Sequence, residues 1–262
     1  RILIDNRGGA GGVLGSDIVA KSPADGHTLL LCTTGNAINV SLVPNLPYDI
    51  RKDFAPVSMV AIITSILVVH PSLPVKSVKD LITLAKAKPD ALSYASTGNG
   101  APTHLAGELF KTMAGVDILH IPYKGAGPAY NDVISGTVTM MFANMPSMLP
   151  QVKGGKLKGL GVTSAERSKA APEIPAIAET VPGYVATSWY GIGAPAGTPE
   201  PILAKLEAAI AEALKSPEVQ KRWADDLGLD MPPPGRKGFN EFVAEDRKLW
   251  APAVKASGVK LD

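Results

Sequence analysis

Residues 94–148 read YASTGNGAPTHLAGELFKTMAGVDILHIPYKGAGPAYNDVISGTVTMMFANMPSM, and the same local grammar recurs three times within and just before them. Apolar runs at Leu92–Ala95, Ile118–Pro122 and Val138–Phe142 each give way to a small polar loop. A segment with helical spacing then follows, at Thr103–Met113, Pro128–Ile134 and Pro146–Val152. Strands that alternate with helices predict an α/β chain whose parallel sheets are covered on both faces. In a parallel sheet all strand-to-helix loops open on one edge, where each helix start presents unpaired N–H groups and a partial positive charge. Such an edge suits an anion.

The pattern extends outward. Arg1–Ile4, His27–Cys32, Val57–Val69 and Leu157–Val162 read as further buried strands, and Val78–Ala87 as a helix. After Ala194 come long helical stretches, Pro199–Leu214, Pro217–Leu227 and Gly238–Lys255, with prolines near helix starts where a missing N–H costs nothing. Val57–His70 is a long β-favouring run with no helix directly behind it, and Thr187–Pro195 is a second extended run. These two read as crossings between lobes. The expected organisation is a discontinuous first lobe, 1–66 plus 190–262, and an inserted second lobe, 67–189, with a ligand cleft between them.

Composition narrows the function. The chain has 262 residues, 45% of them hydrophobic, and its 26 basic and 24 acidic residues leave a net charge of +2. With no Lys/Arg cluster and only 5% aromatics, neither a phosphate-tracking stripe nor a base-stacking platform is present, so nucleic acid is not an expected partner. Cys32 is the single cysteine, and His27, His70, His104 and His120 show no ligand spacing. No metal and no cofactor are therefore expected. No apolar run reaches the roughly 18 residues of a membrane span, so direct membrane insertion is not expected.

The glycine-rich stretch Asn6–Gly15 between a strand and a helix imitates a dinucleotide fingerprint. Against that, the helix is cut short by Pro23, and the next strand ends in Thr33-Thr34 where an acidic ribose partner belongs. Close helix approach and a tight turn explain the glycines better. No GxSxG, SxxK or GxxxxGK[ST] signature occurs, which does not decide the matter because triads assemble across distant sequence; the favoured reading is a solute-binding protein, not an enzyme. The alternatives are an α/β enzyme using the same edge for a carboxylated or phosphorylated substrate, and the ligand-sensing module of a regulator. Thr34, Ser96, Thr97, Asn99 and Thr103 offer hydroxyl or amide partners in the loops, and only Lys124 adds a formal positive charge. Recognition led by backbone, with so little fixed charge, suits a small carboxylate. His104, at the start of a helix with Leu105 and Leu109 on its apolar face, reads as structural, and Trp189 and Tyr190 read as core.

Four stretches, 6–60 (NRGGAGGVLGSDIVAKSPADGHTLLLCTTGNAINV and onward), 67–89 (LVVHPSLPVKSVKDLITLAKAKP), 94–164 and 189–199 (WYGIGAPAGTP), together resemble the Bug-type (TctC-like) extracytoplasmic solute receptors of tripartite tricarboxylate transporters. The resemblance implies a two-lobed periplasmic binding protein of type II, a Venus flytrap of three-layer lobes joined by two crossing strands. It would capture a small organic acid or acidic amino acid in the periplasm and deliver it to the membrane subunits of the transporter. By position, the family's ligand loops fall on Thr34, Gly35, Asn36 and Ala37; on Ser96–Thr103, including Gly98; on Tyr123–Gly127, including Lys124 and Gly125; and on Asn144–Ser147, led by Asn144. There, backbone amides, hydroxyls and ordered waters would hold carboxylates, waters letting one scaffold accept acids of different length. The family usually begins with a further strand, a Pro-Gly-Gly-type loop and a helix. The resemblance implies that this unit and a leader peptide are missing from the sequence as it stands.

Overall fold

The computed structural model describes residues 2–7, 12–232 and 235–258. The chain divides into two compact units, one of Arg1–Ala61, Trp189–Gln220 and Met231–Asp262, the other of Ile62–Ser188 and Lys221–Asp230. The first unit opens with α1 (Val13–Ala20), β1 (Leu30–Thr33), α2 (Thr34–Leu42) and most of β2 (Phe54–Ile63). The second carries β3 (Ser65–Val69), α3 (Val78–Ala87), β4 (Ser93–Ser96), α4 (Pro102–Ala114), β5 (Leu119–Pro122), α5 (Ala126–Ile134), β6 (Met140–Asn144), α6 (Met145–Lys153) and β7 (Lys158–Val162). The chain then re-enters the first unit with β8 (Ser188–Pro195), α7 (Glu200–Lys215), α8 (Pro217–Val219) and α9 (Arg236–Ser257). Lys221–Asp230 groups with the second unit for a local reason. Asp230 exchanges backbone hydrogen bonds of 3.0 and 2.7 Å with Ile62, and Gly228 lies against Ala170 and Met145.

The second unit is built on a five-stranded sheet of order β5-β4-β6-β3-β7. Its β5-β4-β6 half is parallel, as expected, but β3 runs antiparallel to both β6 and β7. The sheet is thus mixed, because β3 enters directly from β2 with no helical crossover to turn it round. All five β3 residues are buried, and Ile66 and Val68 pack with Met141, Ala143, Met148 and Val162 in the core. α3 shows how sequence sets a boundary. Ser77 Oγ accepts the Asp80 N–H at 3.1 Å, Asp80 sits in the first turn, Lys86 lies in the last, and Val78, Leu81 and Ala85 form the buried stripe.

The run Val57–Val69 is not one strand: it breaks at Thr64, whose carbonyl accepts the N–H of Met145 at 3.1 Å. Beyond the break Thr163 secures Ser65 twice through its side chain. Its Oγ1 accepts the Ser65 N–H at 2.9 Å and donates to the Ser65 carbonyl at 3.2 Å, with both residues buried. Thr163→Val keeps the shape but strands the Ser65 N–H, so a loss of about 1–3 kcal/mol is expected, read as a lower urea midpoint with faster amide exchange at Ser65.

The first unit has a three-stranded sheet of order β1-β8-β2, with β1 antiparallel to β8. Gly191 of β8 permits the close approach of α9, since a Cβ there would lie within 2.9 Å of three ring atoms of Phe239. The expected strand Arg1–Ile4 does not form among the described residues. Residues 2–7 carry no strand, and Ile2, Leu3 and Ile4 are exposed because no neighbouring strand pairs with them. Residues 8–11 of the glycine-rich stretch lie outside the described set. Of its other glycines, Gly12 holds φ at 90° before α1, and Gly15 lets α1 approach the Arg7 carbonyl. Pro217–Leu227 is only in part α-helical, since a π-helix follows α8 over Gln220–Asp226.

Candidate functional site

In the second unit, β5, β4 and β6 are adjacent and parallel, so the loops that leave them emerge along one sheet edge. Two of these loops are tied directly to one another. The Tyr123 N–H donates to the Ser96 carbonyl at 3.1 Å and the Gly125 N–H to the Thr97 carbonyl at 3.2 Å. Tyr123 in turn donates its hydroxyl to Asp132 of α5 at 2.6 Å. Burial, reinforced by the Asp132 carboxylate, pushes that phenol up to about 12, so it stays a donor at any ordinary pH.

The residues expected to bind a ligand divide into two kinds. Ser96 and Thr103 are buried and already bonded: Thr103 Oγ1 accepts the Thr97 N–H at 2.9 Å and meets Thr97 Oγ1 at 3.0 Å, while Ser96 Oγ accepts the Gly98 N–H at 3.2 Å. They shape the loop. Asn99 and Lys124 are exposed and Asn144 is half-buried at the cap of α6, and none of the three side chains bonds to another described residue. They are available to a guest. Gly98 at φ 140° and Gly125 at φ 106° supply turns in which a side chain would be strained.

Thr34, Gly35, Asn36 and Ala37 lie in the first unit at the start of α2. Their polar groups serve the fold. Thr34 is fully buried with Oγ1 accepting the Trp189 N–H at 2.9 Å, and the Gly35 N–H donates to Thr33 Oγ1 at 3.2 Å. Asn36 accepts the Thr33 N–H at 2.8 Å and donates to Ser16 Oγ at 2.8 Å, completing a capping box, and Ala37 is buried. The hydroxyl of Thr34 thus holds α2 to β8 and, as the chain stands, points to no open surface.

Sequence reasoning passed over the layer behind the second unit's loops. His104 and His120 stack at 3.9 Å between ring centroids, and Tyr94 lies 4.8 Å from His120 and 6.3 Å from His104. Gly100 donates its N–H to His104 Nδ1 at 3.1 Å, and His120 Nε2 is 2.7 Å from Ser96 Oγ. Cys32, by contrast, is chemically quiet, its buried thiol pushed up to about 12. Among the described residues no group of three His, Cys, Asp or Glu side chains could hold a metal ion, and no helix is long and apolar enough to cross a membrane.

The tripartite tricarboxylate transporter family receptor model (TctC) matches residues 1–259. The chain belongs to this family. Among TctC-family proteins, Protein BugT of Bordetella pertussis (strain Tohama I) is 38% identical over 265 residues, covering 99% of this chain and 80% of BugT. A protein from the tcbD-tcbE intergenic region of Pseudomonas sp. (strain P51) is 39% identical over 221 residues, 84% of this chain but 66% of that protein's length. Solved structures with the TctC-family fold include R. palustris Rpa4515 with adipate, at TM-score 0.91 and 36% identity over 98% of this chain and 87% of that one. MatC (Rpa3494) from Rhodopseudomonas palustris with bound malate superposes at TM-score 0.84 and 32% identity, covering 94% and 85%. The chain therefore has the fold of the periplasmic binding proteins in this receptor family.

Proposed function

We propose that the chain is a periplasmic receptor that captures a small carboxylate without chemical turnover and hands it to the membrane subunits of a tripartite tricarboxylate transporter. The observation that carries this reading is the edge of the β5-β4-β6 sheet. There the side chains of Asn99, Lys124 and Asn144 bond to no other described residue while their loops are held by internal bonds, in a family in which two similar structures hold adipate and malate. One ammonium among neutral donors matches one end of a linear organic acid, and the Gly98 and Gly125 turns, free of side chains, let backbone approach it closely. Thr34–Ala37 enters the proposal from the sequence alone. So does the division into lobes 1–66 plus 190–262 and 67–189.

The test is calorimetry of the full-length mature protein against mono-, di- and tricarboxylates and amino acids, with adipate and malate included. At least one carboxylate is expected to bind, and Lys124→Ala is expected to weaken it about tenfold, the size of one charge-assisted hydrogen bond. Absence of binding across the panel, or turnover of any member, overturns the reading.

A further inference from the structure

Because β4 and β5 pair in parallel with Tyr94 opposite His120, and side chains alternate along a strand, Tyr94, Ser96 and His120 share one face of the sheet. Over that face lies α4, whose His104, Gly107, Glu108 and Lys111 follow helical spacing on one side. The result is a closed stack. Tyr94 donates its hydroxyl to Glu108 at 2.5 Å, Lys111 meets the same carboxylate at 3.2 Å and Asp117 at 3.4 Å, and His104 Nε2 lies 3.9 Å from Glu108.

Hydrogen-bond counting places a proton-free Nδ1 on His104 and a donor Nε2 on His120. The Gly100 N–H needs an acceptor, so His104 Nδ1 carries no proton. The Ser96 hydroxyl has one proton, which it donates to the Gly98 carbonyl at 3.1 Å, and it already accepts the Gly98 N–H. With the hydroxyl proton on the Gly98 carbonyl, the 2.7 Å contact assigns His120 Nε2 as the donor to Ser96 Oγ. Two stacked imidazoles, both in the Nε2–H tautomer when neutral, thus hold both ends of the Ser96–Gly100 turn. A second positive charge 3.9 Å away across the stack would be repelled, and a proton on His104 Nδ1 would meet the Gly100 N–H head-on.

We propose that His104 and His120 are positioning residues for the ligand loop Ser96–Thr103, acting as a neutral pair that locks Ser96 Oγ and the Gly100 amide from behind and so sets the geometry with which the loop meets a carboxylate. This rests on the receptor reading for its ligand but not for its effect on the loop. Burial holds both rings down at about 4, aided at His104 by Lys111 and at His120 chiefly by its partner ring; Glu108 opposes this at His120. Tyr94, Glu108, Lys111 and Asp117 are the other titratable groups facing the pair. With both folded values depressed from 6.5, the neutral pair dominates at neutral pH, and its contribution is lost as pH falls through about 4.

The experiment compares wild type, His104→Ala, His120→Ala and the double variant His104→Asn/His120→Gln, whose amides reproduce the acceptor and the donor without titrating. Adipate affinity is measured at pH 7 and pH 4, and amide exchange of Gly98 and Gly100 is followed without ligand. Each alanine variant is expected to lose about tenfold in affinity at pH 7 and to exchange Gly98 or Gly100 at least tenfold faster, with the double variant near wild type in both. Between pH 7 and 4 wild type should lose about threefold more affinity than the double variant, a ratio from which the ligand's own protonation cancels, because double protonation is disfavoured and near pH 4 about a third of molecules keep both rings neutral. Alanine variants that fold and exchange like wild type overturn the proposal, as does an acid loss equal in wild type and double variant. If adipate does not bind at all while the exchange rates respond as expected, the receptor reading fails for this acid and the positioning role stands.

Discussion

Asp246→Ala is expected to destabilise the first unit by about 2–4 kcal/mol at pH 5, and by about 1 kcal/mol less at pH 7.5. The carboxyl of Asp246 is buried in α9 and accepts the indole N–H of Trp189 at 2.7 Å and that of Trp250 at 3.0 Å. Both indoles are buried, and Trp189 also packs edge-on against Phe239 and Phe242. Truncation leaves two buried donors without an acceptor, each costing about 1–3 kcal/mol. The pH term has an unusual sign for an acid. Burial outweighs the two indole donors and raises the group from 3.8 to about 6. The folded chain therefore binds the proton more tightly than the unfolded one, and the resulting stabilisation, full below pH 3.8, is lost as pH rises through about 6. Urea unfolding followed by circular dichroism at the two pH values checks both parts. A variant as stable as wild type at pH 5, or a difference that grows toward pH 7.5, would contradict the assignment of Asp246 as a buried acceptor.

The same residues show which parts of the molecule could be read from sequence. Helices with complete local signals, such as α3 with its Ser77 cap and Val78-Leu81-Ala85 stripe, match their expected bounds because cap, charge and periodicity lie within a dozen residues. The parallel β5-β4-β6 arrangement and its loop edge were legible for a similar reason, each strand being followed at once by its helix. The antiparallel insertion of β3 was not, since Val57–Val69 is β-favouring throughout and the break at Thr64 depends on partners, Met145 and Thr163, that lie about 80 to 100 residues away. Nor does a run of three apolar residues at Ile2–Ile4 become a strand without a neighbour to pair with. At the site, composition points to loops but not to the hydrogen bonds inside them. Ser96, Thr97 and Thr103 look like ligand groups because the side chains that cap a loop are those that would bind an acid. The His104–His120 stack depends on the register that sets Tyr94 opposite His120, and no pattern along the chain encodes that register.

Gly107→Ala should destabilise the second unit by about 1 kcal/mol net, against the sign of helix propensity, which alone would favour alanine by about 1 kcal/mol. Gly107 lies inside α4 and is buried, and a Cβ built there would come within 2.9 Å of three atoms of the Tyr94 ring. That ring cannot retreat. It is fully buried, its hydroxyl is held by Glu108, and its other neighbour is the His120 imidazole. The methyl group must therefore push α4 off the sheet or tilt Tyr94 into the imidazole stack, and overpacking of this kind costs about 1–3 kcal/mol before the propensity gain is returned. On the positioning role proposed for the stack, amide exchange at Gly98 should quicken as stability falls. Shortening the obstacle tests the cause: in a Tyr94→Leu background the cost of Gly107→Ala should shrink by at least half, a coupling that a double-mutant cycle measures directly. An unchanged cost in that background would mean that the methyl group meets something other than the ring. A stabilised single variant would mean that α4 stands farther from β4 than the Gly107–Tyr94 contact requires, leaving the stacked rings without the clamp that keeps them in register.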